Sequence, residues 1–292
     1  MSTALCACTD RQPSDNTKTA SLDTVPTAHA NMTAYENNGV SADTISRSTE
    51  TKVSSCDCST KQYLQPQWST ISFQPSGKLN KEDQATFEKW SNDSLRLTVT
   101  SLKFYRSDTI PDKFKVFENV EQVILKDVWS KDYQKGKSIY GLDIFPKLKT
   151  VVFWGCSVTL DPTAKWLKRI EKIYAEKTNI AGMDSFSATP DLHELYMAFS
   201  GFNVFPKNIE SLKCLSKVTF GAYTFGNINL ADIDVSKLPC LQYIEFLTWT
   251  DNMTGIPVGI ETSSLKTVKI HHQKLTDKEK EIIKKANSQT NK

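Results

Sequence analysis

The chain has 292 residues, 39% hydrophobic and 24% charged, with a formal net charge of +3. That length accommodates one large domain or two ordinary ones. So small an excess of cations gives no reason to expect a nucleic-acid partner, and no run of Lys/Arg is interleaved with aromatics as a phosphate-tracking surface would be. No apolar stretch approaches the ~18 residues that a membrane-spanning helix needs.

Residues 1–60 are rich in Ser, Thr, Asn, Asp and Ala and carry four Lys/Arg against seven Asp/Glu, a net of −3 that leaves +6 on the remainder. Without apolar periodicity such a segment buries too little surface to offset its ordering entropy. It is expected to be a disordered tether. The opening Leu5-Cys6-Ala7-Cys8 resembles the end of a bacterial lipoprotein signal, which implies acylation at Cys8. The positive and apolar regions that precede such a site in a signal peptide are missing. Two readings therefore stay open, a lipid-anchored envelope protein and a cytoplasmic one, and the reading leans to the first. The seven cysteines are Cys6, Cys8, Cys56, Cys58, Cys156, Cys214 and Cys240. An odd count argues against a fully paired framework. Cys156, Cys214 and Cys240 lie on or beside apolar repeat positions and read as free thiols acting as small hydrophobes.

Residues 61–98 read as an amino-terminal cap. Trp68, Ile71 and Phe73 suggest a short strand, Pro75-Ser76-Gly77 a turn, and Asn80 the cap of a helix from Lys81 to Trp90 with Glu82 and Asp83 in its first turn.

From residue 99 an apolar triplet at first, fourth and sixth positions recurs. The copies are Val99/Leu102/Phe104, Val120/Val123/Leu125, Leu148/Val151/Phe153, Ile170/Ile173/Ala175, Leu192/Leu195/Met197, Leu215/Val218/Phe220, Leu241/Ile244/Phe246 and Leu265/Val268/Ile270. Their first positions are 21, 28, 22, 22, 23, 26 and 24 residues apart. Tandem recurrence near this period is the mark of a solenoid in which each coil buries its apolar side against its neighbours. The two long spacings place insertions at residues 129–141 and 221–234.

Across residues 99–275 the sequence resembles the leucine-rich repeat (LRR) family. The ninth position of each copy, usually Asn, Cys, Thr or Ser in that family, holds Ser107, Cys156, Thr178, Ser200 and Gln273 here, with departures at Val128, Tyr223 and Trp249. Phe205-Pro206, Ile209 and Leu212 match the family's returning segment, and Pro162 to Leu167 suits a short helix behind Asp161. The fold class implied is an α/β leucine-rich repeat solenoid. Its curved parallel sheet forms the concave side, and short helices, 3-10 turns and loops form the convex side. The domain plan is tether 1–60, cap 61–98, about eight coils over 99–274, and a capping helix with its tail over 275–292. That last helix carries a capping box in Thr276 and Glu279, and its Ile282 and Ile283 face the last coil.

Strand residues that do not point inward face the concave side. Tyr105, Ile124, Trp154, Tyr174, Tyr196 and Phe199 are expected to cluster there as anchors for another protein or peptide, with Lys126, Glu176 and Lys177 setting orientation. No nucleophile elbow, phosphate loop or paired-histidine metal helix is present. His271 and His272 read as a solvated edge rather than a metal site, and His193-Glu194 as a surface pair. The resemblance thus implies a non-catalytic binding scaffold without metal or cofactor, reaching a membrane only through a lipid anchor. An envelope adhesin or spacer and an enzyme with an unrecognised hydrolytic site are the alternatives. The residues set no oligomeric state.

Overall fold

The computed structural model describes residues 56, 58, 70–74, 79–131, 135–200, 208–222, 228–248 and 252–289. Trp68, the Pro75–Gly77 turn, Phe202, Phe205, Pro206, Tyr223, Phe225, Trp249 and Cys8, all used in the sequence reading, lie outside them.

Nine parallel strands follow one another in a single sheet. Ile71–Phe73 comes first and is followed by the strands of the eight coils: Ser101–Tyr105, Gln122–Lys126, Thr150–Trp154, Lys172–Glu176, Glu194–Ala198, Lys217–Ala222, Tyr243–Thr248 and Thr267–His271. The register keeps every triplet in phase: Leu102 pairs with Val123, Val123 with Val151, Val151 with Ile173, and so on to Ile244 with Val268. All eight triplets are buried, from 0% exposed at Leu102, Val151 and Leu195 to 7% at Leu265. Side chains alternate across a strand, so a slip of one residue would turn every triplet to water. The triplet itself therefore fixes the register. The protein is a leucine-rich repeat solenoid.

The return segments are short 3-10 helices such as Asp112–Val116, Lys165–Arg169 and Ile209–Ser211. Asp161 does not start a helix at Pro162. Its carboxylate instead accepts the Thr163 N–H at 2.8 Å, and the helical turn begins three residues later. The insertion after Trp129 contributes the pair Lys137–Ser138, which joins Ser157–Thr159 and Asn179–Ala181 in a second, three-stranded sheet. In that sheet Val158 and Ile180 continue the core.

Both ends of the stack are covered. The helix Lys81–Trp90 is capped by Asn80, whose Oδ1 accepts the Asp83 N–H at 2.8 Å. Phe87 on this helix meets the Phe114 and Phe117 rings at 5.2 and 5.8 Å, and Phe73 meets Phe114 at 4.7 Å. At the other end the helix Asp277–Gln289 carries the expected capping box: Glu279 Oε2 accepts the Thr276 N–H at 2.7 Å, and Thr276 Oγ1 accepts the Glu279 N–H at 3.3 Å. The helix runs past Asn287 to Gln289. Asn287 pairs with the last strand, its Oδ1 accepting the Val268 N–H at 2.9 Å and its Nδ2 donating to the Val268 carbonyl at 2.8 Å. An open strand edge templates association, and this amide occupies part of it.

Candidate functional site

The concave face is built from the third, fifth and seventh positions of each strand, laid side by side by the register. The seventh row runs Tyr105, Lys126, Trp154, Glu176, Ala198, Gly221, Leu247 and His271. The fifth runs Lys103, Ile124, Val152, Tyr174, Tyr196, Thr219, Glu245 and Lys269. Adjacent members stand about one sheet spacing, ~4.8 Å, apart.

In coils 1–3 these rows place Lys126 between two rings. Its Nζ lies 4.2 Å from the Trp154 ring centroid and 5.4 Å from that of Tyr105, and Lys103 Nζ lies 5.8 Å from the same Tyr105 ring. All four side chains are half-buried. In coils 4 and 5 the Tyr174 and Tyr196 rings are 5.7 Å apart. Burial, reinforced by Glu176 and Glu245, pushes the Tyr196 hydroxyl pKa up. Tyr105, Trp154, Tyr174 and Tyr196 thus share one face.

Two of the expected anchors depart from that arrangement. Ile124 stands between Lys103 and Val152 in register and is 0% exposed, so it offers no area to a partner. Phe199 is not on a strand. It turns the corner after Ala198 with a φ of 51° and sits 42% exposed at the rim.

The third row was passed over in the sequence, although the same alternation predicts it. Glu194, read as half of a surface pair, is 1% exposed. It accepts the Tyr174 hydroxyl at 2.7 Å and pairs with Lys217 at 2.9 Å. Burial lowers the Lys172 pKa against the pull of Glu194 and Glu171. Tyr243 follows, flanked by Lys217 and Lys269 at 5.4 and 5.5 Å, with its hydroxyl 3.0 Å from Glu245.

The strands are held in place at their ends. In coils 1–5 the eighth residue takes a left-handed backbone: Arg106, Asp127, Gly155, Lys177 and Phe199 have φ between 51° and 61°. That corner turns the ninth residue inward. Thr178 Oγ1 donates to a carbonyl of the preceding coil, Phe153 O at 3.1 Å, or to Glu176 O at 2.9 Å. Ser200 repeats the pattern with Ala175 O and Ala198 O, and Cys156 Sγ with Leu125 O and Trp154 O. Burial pushes the Cys156 thiol up to about 11. Gln273, expected in this row, is exposed.

The largest correction concerns the other cysteines. Cys214 and Cys240 are not free thiols. Cys56 bridges Cys214 and Cys58 bridges Cys240, with Cα–Cα distances of 5.2 and 5.0 Å. Cys214 and Cys240 each immediately precede the first position of their coil, so one Cys-Asp-Cys tripeptide staples coils 6 and 7 side by side. The end of the segment read as tether therefore belongs to the fold at residues 56 and 58. His272 is likewise no solvated edge: it is 8% exposed, with Nε2 2.9 Å from the Gly255 carbonyl. Among the described residues no cluster of three or more His, Cys, Asp or Glu is placed to hold a metal ion. No helix among them is long and apolar enough to cross a membrane.

No family model matches the sequence, and no curated protein matches it. Among solved structures it is similar to an LRR protein of Leptospira interrogans, with 16% identity and a TM-score of 0.44, over 63% of this chain and 51% of that one. It is also similar to InlP of Listeria monocytogenes, with 17% identity and a TM-score of 0.40, over 64% and 62%. A third match is internalin C2 of Listeria monocytogenes, with 16% identity and a TM-score of 0.40, over 67% and 88%. The chain thus spans about half to three fifths of the first two proteins' lengths. The fold assignment stands on the nine-stranded register and the buried triplets rather than on these distant likenesses.

Proposed function

We propose that the protein is a non-catalytic scaffold that binds another protein or peptide on its concave face. Tyr105, Trp154, Tyr174 and Tyr196 are the anchors, and Phe199 is a rim contact. The observation that carries this reading is the placing of four half-buried aromatic side chains on one continuous face of a fixed sheet. Large aromatics with few rotatable bonds lose little entropy on binding, and a preformed surface needs no reordering. The test compares capture by the immobilised oxidised protein with capture by Trp154→Ala and Tyr196→Ala variants that melt at the same temperature. The proteins retained by the parent are expected to be depleted on both variants. Unchanged retention contradicts the reading.

The two staples favour a compartment that keeps disulfides oxidised, because thiols in a reducing cytoplasm stay unpaired. This supports the envelope-anchored alternative over the cytoplasmic one. Mass spectrometry of the natural amino terminus tests it, since an acyl-cysteine at Cys8 is expected from that reading and an unmodified start contradicts it.

A further inference from the structure

The concave face is electrostatically divided. In coils 5–8 two of its cations are matched by carboxylates of the neighbouring strand: Lys217 with Glu194 at 2.9 Å and Lys269 with Glu245 at 3.8 Å. In coils 1–3 the pattern fails. Lys103 and Lys126 address the same Tyr105 ring from 5.8 and 5.4 Å, yet among the described residues neither ammonium has a carboxylate within ion-pair distance. Arg106 adds an exposed cation at the corner of the same strand, with Asp127 at the neighbouring corner.

Two ammonium groups that address one ring repel each other, and ring faces offset that repulsion only in part. An anion seated between them relieves it. The surrounding surface says what kind of anion. The Tyr105 and Trp154 rings stand on either side of Lys126, so the site offers planar apolar contact flanking the charge. A bare inorganic ion uses none of that area. A polypeptide that presents a carboxylate beside an aromatic or aliphatic side chain uses both.

We propose that coils 1–3 bind an acidic segment of a partner protein, its Asp or Glu carboxylate bridging Lys103 and Lys126 while a neighbouring apolar side chain packs on Trp154. This rests on the concave-face reading above and names the partner chemistry of that face. Coils 5–8 carry their own counter-charges, and coils 4 and 5 contribute the Tyr174–Tyr196 surface without charge selection.

The test uses the oxidised full chain and three fluorescent probe peptides of equal length that alternate tyrosine with glutamate, serine or lysine. The glutamate peptide is expected to bind best and to weaken as salt is raised, because partly exposed charge pairs are screened. Lys126→Glu and Lys103→Glu are expected to weaken it by about tenfold each, the size of effect for close charge pairs at an interface. Lys269→Glu, on coil 8, is expected to leave it unchanged. Circular dichroism of each variant checks that the sheet is intact. A glutamate peptide that binds no better than the serine one, or that ignores Lys126→Glu, overturns the acidic-partner proposal. In that case Trp154→Ala and Tyr196→Ala still decide the concave-face reading separately. Displacement of the peptide by millimolar inorganic phosphate alone would show a simple anion site and also overturn it.

Discussion

Coils 1–5 and coils 6–8 solve the same problem in different ways. Each coil must leave its strand, turn a corner and return without exposing backbone groups in the core. The first five do so with a left-handed eighth residue and a buried ninth one. Cys156, Thr178 and Ser200 donate to carbonyls of the preceding coil, and Ser107 donates to the Thr109 carbonyl of its own coil. Among the described residues, the eighth positions of the last three, Ala222, Thr248 and His272, do not have that left-handed backbone. The strands Lys217–Ala222 and Tyr243–Thr248 run one residue longer, and the bridges Cys56–Cys214 and Cys58–Cys240 tie their coils to one short segment of chain. Local hydrogen bonds suffice where each coil has two regular neighbours. Where regularity lapses near the end of the stack, covalent bonds and a docked helix take over.

Three changes probe this contrast. The largest effect is expected from removing the staples. In the chain-entropy account, cross-linking residues 158 and 182 positions apart stabilises by about 3–5 kcal/mol. Reduction, or Cys214→Ser with Cys240→Ser, should therefore lower the unfolding free energy by that order in a denaturant titration. Exchange of amide hydrogens should accelerate first in coils 6–8. Uniform acceleration along the chain would erase the distinction between the two regions.

A smaller loss is expected from Thr178→Val. The substitution keeps the shape but leaves the Phe153 carbonyl without its donor, at a cost of about 1–3 kcal/mol. A thermal melt indistinguishable from the parent would remove the corner ladder from the account.

The smallest effect concerns Cys156. Its folded pKa is raised to about 11 by burial, so the folded state holds the proton that the unfolded chain releases. The contribution is fully present below the unfolded pKa, near 8.5, and is lost as pH rises from there toward the folded value. Stability should fall over that alkaline window in the parent and not in Cys156→Ala, after allowance for other groups. Alkylation of Cys156 in the folded protein at pH 8, followed by peptide mapping, should be slow. Rapid labelling would show the thiol to be accessible.

Much of this was legible in the residues. A period-2 strand signal nested in a period near 23 residues fixes register, face and core together. For that reason the triplets follow from spacing alone; the ninth-position donors Cys156, Thr178 and Ser200 are what the resemblance to leucine-rich repeat proteins implies, and the two terminal helices follow from their caps, Asn80 and the Thr276/Glu279 pair. The staples do not. Cys56 and Cys58 sit in a polar segment with no periodicity, and nothing local says which distant coil they will meet. Glu194 and His272 were misread for a related reason. Whether a polar side chain beside a strand is exposed depends on the neighbouring coils, here Tyr174 and Lys217 for Glu194 and the Gly255 turn for His272. Ile124 shows the same from the apolar side.

The central claim is that the concave face of coils 1–3 is where a partner docks. Hydrogen–deuterium exchange of the oxidised protein with and without the glutamate–tyrosine peptide measures it most directly. The account predicts added protection that is largest in Ser101–Tyr105, Gln122–Lys126 and Thr150–Trp154, with the strands of coils 6–8 unchanged. Protection on the convex turns at Asp112–Val116 and Lys165–Arg169, with those three strands unchanged, would contradict it.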